Sequence, residues 1–198
     1  MKNILPVLIL LLCSCKKTLP AEAPVIVTVV PAAAESSYVK YTINAGAHFS
    51  DKSVLKEIIL SEMNFKVKFD SSAIYKTIDP LNQYDINKLY GFSDGNDHHQ
   101  NSARIGWSWN DNALRLYAYT YYNGVRDSKE ITSVNIGAEV LCTIKFSAAE
   151  YVFKSGNSTV TMPRFVTNPV VKGYQLYPYF GGEETAPAEI SILIQDLP

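Results

Sequence analysis

Cysteine is nearly absent from this 198-residue chain: of three, Cys13 and Cys15 close an N-terminal apolar run and Cys142 stands alone beyond it. A folding segment with one cysteine forms no internal disulfide, so its stability has to come from an apolar core. Cys142 falls in an alternating run and reads as a small buried hydrophobe. Clustered positive charge is also missing. The 18 basic and 19 acidic residues leave a formal net charge of -1, and nucleic-acid binding, which needs a basic patch, is excluded on that ground. No internal repeat is visible. Helical spacing is scarce as well: only 50–60, with Val54, Leu55, Ile58 and Ile59 on one side and Ser50 or Asp51 as cap, is expected to form a short helix. Glutamate does not occur between Glu62 and Glu130.

What is present begins with Lys2, the apolar run 4–12 and then Leu12-Cys13-Ser14-Cys15. The apolar run is too short to span a bilayer and has the form of a secretory leader. Its ending resembles the lipobox of bacterial lipoproteins. That resemblance implies a signal peptide at 1–14, acylation of Cys15, and a protein held by lipid at the outer membrane of a bacterial envelope; an ordinary signal peptide with two incidental cysteines is the alternative. Lys16 and Lys17 stand where surface-displayed lipoproteins often carry acidic residues, so the periplasmic and surface sides both stay open. Residues 15–36 are rich in Pro, Ala, Val and Glu. Pro20, Pro24 and Pro31 favour a semi-rigid tether, from which 25–30 could dock as an edge strand. The folded domain is expected over 37–198.

The longest stretch with a period of two is 102–126. Side chains alternate between sheet faces, which puts Ala103, Ile105, Trp107 and Trp109 on one side and Ser102, Arg104, Gly106 and Ser108 on the other. After a turn at Asn110-Asp111-Asn112, Leu114, Leu116, Ala118 and Thr120 form the apolar set of the return strand. Arg115, Tyr117, Tyr119 and Tyr121 occupy its opposite face. Asn123-Gly124 signals another tight turn, with a strand at 125–134. Further strands are expected at 38–43 (as the first core strand), 63–70, 73–77, 139–146, 150–153, 159–162, 173–180 and 189–195. Many short strands with little helix indicate an all-β fold, a sandwich or a barrel. Seven of the 13 tyrosines fall in 117–122 and 174–179, which places those two segments on neighbouring strands.

The longest irregular stretch is 79–100, and long loops inside compact domains are often functional. It carries Asp94, Asp97, His98 and His99. These are suitable metal-ligand types, but adjacent residues of an extended chain point apart and no fixed ligand spacing is present. A transition-metal site, a structural calcium and a solvated loop with no cofactor are the three readings, with Asp94, Asp97 and His98 as the candidate ligands of a metal.

The run from Gly106 through Arg164, with its Tyr-Tyr-Asn-Gly, TIKF and YVFKSGNSTVTM segments, resembles the central strands of concanavalin A-like, laminin G-like jelly rolls. KGYQLYPYFGGEETAPAEISI and NQYDINKLYGFSD resemble an uncharacterised family of lipoproteins from Bacteroidota. The jelly-roll resemblance implies a two-sheet antiparallel β-sandwich whose concave face often binds or cleaves glycans. On such a face Tyr117, Tyr119 and Tyr121 offer flat surfaces to sugar rings, and Arg104 and Arg115 offer planar donor forks to oxygens or a carboxylate. The same tyrosines could instead pack against loops, since aromatics are good strand formers. Jelly-roll glycosidases place two carboxyl groups on one central strand, and the missing glutamates argue against hydrolysis. Uronate elimination would suit Gln100, His98 or His99, Arg104 and Tyr119, although no jelly-roll lyase motif is matched residue by residue. A non-catalytic glycan-binding module is the leading reading, with a protein-docking envelope lipoprotein as the alternative.

Overall fold

The computed structural model describes residues 37–198. The leader at 1–14, Cys15 and the tether at 15–36 with its 25–30 segment lie outside the described residues. In chain order the strands are β1 (Val39–Ile43), β2 (Glu57–Leu60), β3 (Glu62–Phe69), β4 (Asn87–Ser93), β5 (Ser102–Asn110) and β6 (Ala113–Tyr122). They continue with β7 (Val125–Val134), β8 (Glu139–Phe146), β9 (Glu150–Ser155), β10 (Ser158–Pro163), β11 (Val171–Leu176) and β12 (Ile190–Leu197). Short 3-10 turns at Ser71–Ala73 and Pro80–Tyr84 are the helical elements among the described residues.

Two six-stranded antiparallel sheets result, in the orders β1-β12-β3-β8-β9-β10 and β2-β11-β4-β5-β6-β7. They stack face to face as an antiparallel β-sandwich around one hydrophobic core. Alternation drives the stacking: Phe65, Val67, Phe69, Ile144 and Ile192 of the first sheet and Phe92, Ile105, Trp107 and Leu116 of the second are all buried. Rings from the two sheets meet directly, Phe69 and Trp107 with centroids 5.3 Å apart and Phe65 and Tyr90 at 5.2 Å. Burying each such side chain contributes about 1.5–3 kcal/mol relative to leaving it in water.

Turn chemistry sets the register of the central strands. Asp111 and Asn112 have φ of 47° and 56°, as the two-residue turns that match strand twist require. Asn110 therefore faces Ala113, and Trp107 faces Leu116 on the core side while Arg104 faces Tyr119 on the other. Asn123 and Gly124 repeat the device with φ of 47° and 83°, which brings Arg126 opposite Tyr121.

Several sequence expectations are corrected. Residues 50–60 form no helix. The Asp51 carboxylate accepts from the Thr42 N–H rather than capping a turn, and Ile58 and Ile59 pair with β11 as part of β2. The stretch 79–100 is not one loop, because β4 within it is a central strand of the second sheet. A bulge between Lys88 and Tyr90 breaks its period of two, and Leu89, Tyr90 and Phe92 are all buried, so its pattern carries no clean alternation. Residues 73–77 form no strand, and the strand expected at 173–180 ends at Leu176, with Tyr179 making isolated bridges to Phe49 and Lys88. The two tyrosine-rich segments are not neighbours, since β4 and β5 lie between β11 and β6. Among the described residues β1 is an edge strand.

Candidate functional site: a cationic, tyrosine-lined cleft

The core takes one face of the β4–β5–β6 ribbon, and the other face carries Lys88, Arg104, Tyr119 and Tyr121 into a cleft of about 840 Å³. Glycine makes room for the floor. Gly91 pairs with Arg104, and a Cβ there would lie 2.9 Å from Arg104 Cγ; Gly106 stands opposite Lys88. Tyr119 is buried in the floor at 3% exposure. Its ring lies 6.1 Å from that of Tyr121 at 65°.

One end of the cleft is formed by His98, His99, Tyr121 and Tyr174. The Tyr174 hydroxyl accepts from the His98 N–H and lies 2.6 Å from His98 Nδ1, and the His99 and Tyr121 rings meet edge to face at 5.3 Å. Burial, with Arg104 nearby, pushes the His98 imidazole down to about 4. It is therefore neutral at pH 7. Across the cleft Tyr179 stacks on His48 at 5.2 Å and meets the edge of Phe49 at 4.9 Å, and Val54 and Leu55 continue this apolar wall.

Between the aromatic walls stand three cations. Lys88 Nζ lies 5.1 Å from the Tyr119 centroid and 5.7 Å from that of Tyr179, within cation–π reach. Burial, then the charges of Arg104 and Arg126, lower its ammonium to about 8. Arg104 is 7% exposed, and its Nε has no hydrogen-bond partner among the described residues. None of the ion pairs among the described residues includes Lys88, Arg104 or Arg126. Burial also depresses the Arg104 guanidinium, opposed by the surrounding tyrosines. Arg126 is exposed at the mouth and hydrogen-bonds the Tyr119 side chain. Burial raises the Tyr119 phenol to about 12, so it is a hydrogen-bonding hydroxyl rather than a ready base. Asp85 and Glu183 are the carboxylates on the cleft wall.

Comparison with known proteins adds little beyond this geometry. No family model matches the chain. No curated protein matches it in sequence. Among solved structures it is similar to a functionally unknown protein from Saccharomyces cerevisiae, with 10% identity, a TM-score of 0.49, and coverage of 79% of this chain and 84% of that one. A GH16 protein from Bacteroides ovatus in complex with a product gives 8% identity, a TM-score of 0.46, and 82% and 81% coverage. A carbohydrate-binding module from Bacillus subtilis gives 5%, a TM-score of 0.36, and 82% and 94%.

Of the residues singled out in sequence, Arg104, Tyr119 and Tyr121 line the cleft, and Arg115 and Tyr117 do not. Arg115 is engaged with Glu130 at 3.0 Å and donates from Nε to Asn110 at 2.7 Å. The Tyr117 hydroxyl is 3.0 Å from Ser108 Oγ. Both are tied into the sheet beyond the cleft. Asp94, Asp97 and His98 are not brought together as a cation site: Asp94 accepts from Tyr151 and Arg164, Asp97 accepts from the His99 N–H, and His98 meets Tyr174. Among the described residues no group of three or more His, Cys, Asp or Glu could hold a metal. Gln100 lies outside the lining, whereas His98 and His99 lie within it. Lys88, Arg126, Tyr174 and Tyr179 were missed. Arg126 had a usable signal, since a two-residue Asn-Gly turn puts it opposite Tyr121.

Proposed function

We propose that this protein is a non-catalytic saccharide-binding module, held at the bacterial envelope by an acylated Cys15. The observation that carries the reading is the cleft itself. Tyr121, Tyr174 and Tyr179 supply ring faces and hydroxyls within one concavity floored by the buried Tyr119, interleaved with Lys88 and Arg104 as donors. A pyranose ring presents an apolar face and a belt of hydroxyls, and tyrosine meets both demands with one rigid side chain. A cleft of about 840 Å³ falls in the range of small-ligand sites, roughly 300–1,000 Å³.

The test is equilibrium binding of the full-length protein to a panel of defined oligosaccharides. Saturable binding that Tyr121→Ala abolishes, in a protein with unchanged thermal unfolding, supports the reading. No binding across the panel transfers the case to a protein-docking envelope lipoprotein. Metabolic labelling with a fatty-acid analogue, lost in Cys15→Ala, tests the anchor.

A second reading has one observation in its favour: His98, Arg104 and Tyr119 share the cleft, and elimination from a uronate needs a charge-neutralising donor beside a proton acceptor. Incubation with polyuronates distinguishes the two readings, because a lyase generates unsaturated ends that absorb in the ultraviolet and a binding module leaves the polymer intact.

A further inference from the structure

Arg104 projects into the cleft from the middle of a sheet, is 7% exposed, and has an Nε with no hydrogen-bond partner among the described residues. A buried guanidinium is ordinarily paired, because an uncompensated charge away from water is costly. Rings surround it: its Cζ lies 6.0 Å from the Tyr119 centroid, and Tyr121, Tyr174 and Tyr179 are close enough to act on it electrostatically. Lys88, on the adjacent strand, and Arg126, at the mouth, add two cations that likewise form no ion pair among the described residues. Neutral sugar recognition needs donors but not three charges of one sign, and the sheet could supply donors from uncharged side chains.

We infer that the cleft selects an acidic saccharide, whose anionic group, a uronate carboxylate or a sulfate ester, seats on Arg104 beside Lys88 while the sugar ring lies on the tyrosines. This inference rests on the saccharide-binding reading and adds the charge of the ligand to it. The planar guanidinium fork fits a carboxylate through two parallel hydrogen bonds, and such charge-assisted bonds are the strong ones. Lys88 contributes as a point charge. Arg126, exposed at the entrance, steers the anion inward, a contribution that salt screens. Asp85 and Glu183 on the wall oppose a second acidic group there, so the geometry favours one anionic group seated deep rather than an evenly charged polymer lying flat.

The experiment compares three probes on the full-length protein: an oligouronate, the same oligosaccharide with its carboxyls reduced to alcohols, and a sulfated neutral oligosaccharide. The inference expects an anionic probe to bind about ten- to a hundred-fold more tightly than the reduced one, as one or two charge-assisted hydrogen bonds provide. It also expects Arg104→Met to remove most of that preference. The uronate and the sulfated probe separate the two sources of the anion. Equal binding of all three probes by the unaltered protein overturns the inference and leaves saccharide binding standing. Binding of none of the three overturns both. Because that comparison uses the unaltered chain, it does not depend on the folding of any variant, and Lys88→Met, expected to lower the preference several-fold, provides a second variant.

Discussion

Arg164 donates to Asp94 through both Nε and Nη2, at 2.7 and 3.2 Å, with the two side chains 0% and 1% exposed. The pair closes one end of the sandwich. Tyr151 donates to the same carboxylate, and Arg164 Nη1 donates to the carbonyls of Ser147 and Asn168. Every polar atom of this arginine is thus accounted for by the fold. Arg104 is almost as deeply buried and has no such pairing among the described residues, and the proposed binding role rests on that contrast.

Removing Asp94 leaves Arg164 buried without its counter-charge. Asp94→Ala is expected to destabilise the domain by about 3–5 kcal/mol, as breaking a buried pair from one side does. The double variant Asp94→Leu with Arg164→Met should recover much of that loss. Chemical denaturation of the two variants checks this, and a double variant no more stable than Asp94→Ala would contradict it.

Arg104 gives the opposite expectation. Its unpaired guanidinium costs stability, so Arg104→Met should raise the stability of the domain by about 1–3 kcal/mol, the usual cost of an unsatisfied buried group. That is several degrees in thermal midpoint for a domain of this size. The gain should accompany loss of anionic ligand binding. A lower melting temperature would show that Arg104 holds the sheet together.

The pH dependence of binding follows from Lys88, which faces Arg104, Arg126, Asp85, Tyr119 and Tyr179 in the cleft. With its ammonium lowered to about 8, the side chain is charged below that pH and neutral above it. Affinity for an acidic saccharide is therefore highest below about pH 8 and falls as pH rises through it, because a bound anion favours the charged form. For folding the sign is reversed. The unfolded lysine binds its proton up to its ordinary pKa near 10.5 and the folded one only to about 8, so this group's contribution to stability rises with pH between those values. Titration calorimetry across the range, with Lys88→Met as control, measures the first; a flat affinity profile would remove Lys88 from the site.

Arg115 and Tyr117 share the cleft's sheet face but are held by Glu130, Asn110 and Ser108. Arg115→Ala and Tyr117→Phe should leave ligand affinity within about twofold of the unaltered protein. Tyr117→Phe should cost about 0.5–1.5 kcal/mol of stability for the lost hydrogen bond. Affinity loss in either variant comparable with that of Tyr121→Ala would extend the site along β6.

Much of the sandwich was legible because strand alternation is local. The faces of β5 and β6 followed from a period of two and an Asx-rich turn, and Arg104, Tyr119 and Tyr121 came with them. β4 was illegible for a physical reason: a bulge at Lys88 and Tyr90 and burial on both sides remove the alternation that identifies a strand. Lys88 was hidden in it. The apolar spacing at 50–60 suggested a helix, but pairing with β11 outweighs a short helix that lacks its cap.

The sequence by itself determined the all-β class and the face on which Arg104 and Tyr119 lie, because alternation along a strand needs no knowledge of distant neighbours. Only the tertiary structure decided that Arg115 is spent on Glu130 while Arg104 stays unpaired, that Asp94 belongs to Arg164 rather than to a metal, and that Tyr174 and Tyr179 converge on Tyr119 across two intervening strands. Arg115 meets Glu130 only 15 positions away, through a register shift between Leu116 and Tyr117 that strand alternation does not reveal. Asp94 and Arg164 meet across 70 positions, and pairing between distant residues is set by the packing of the whole sandwich.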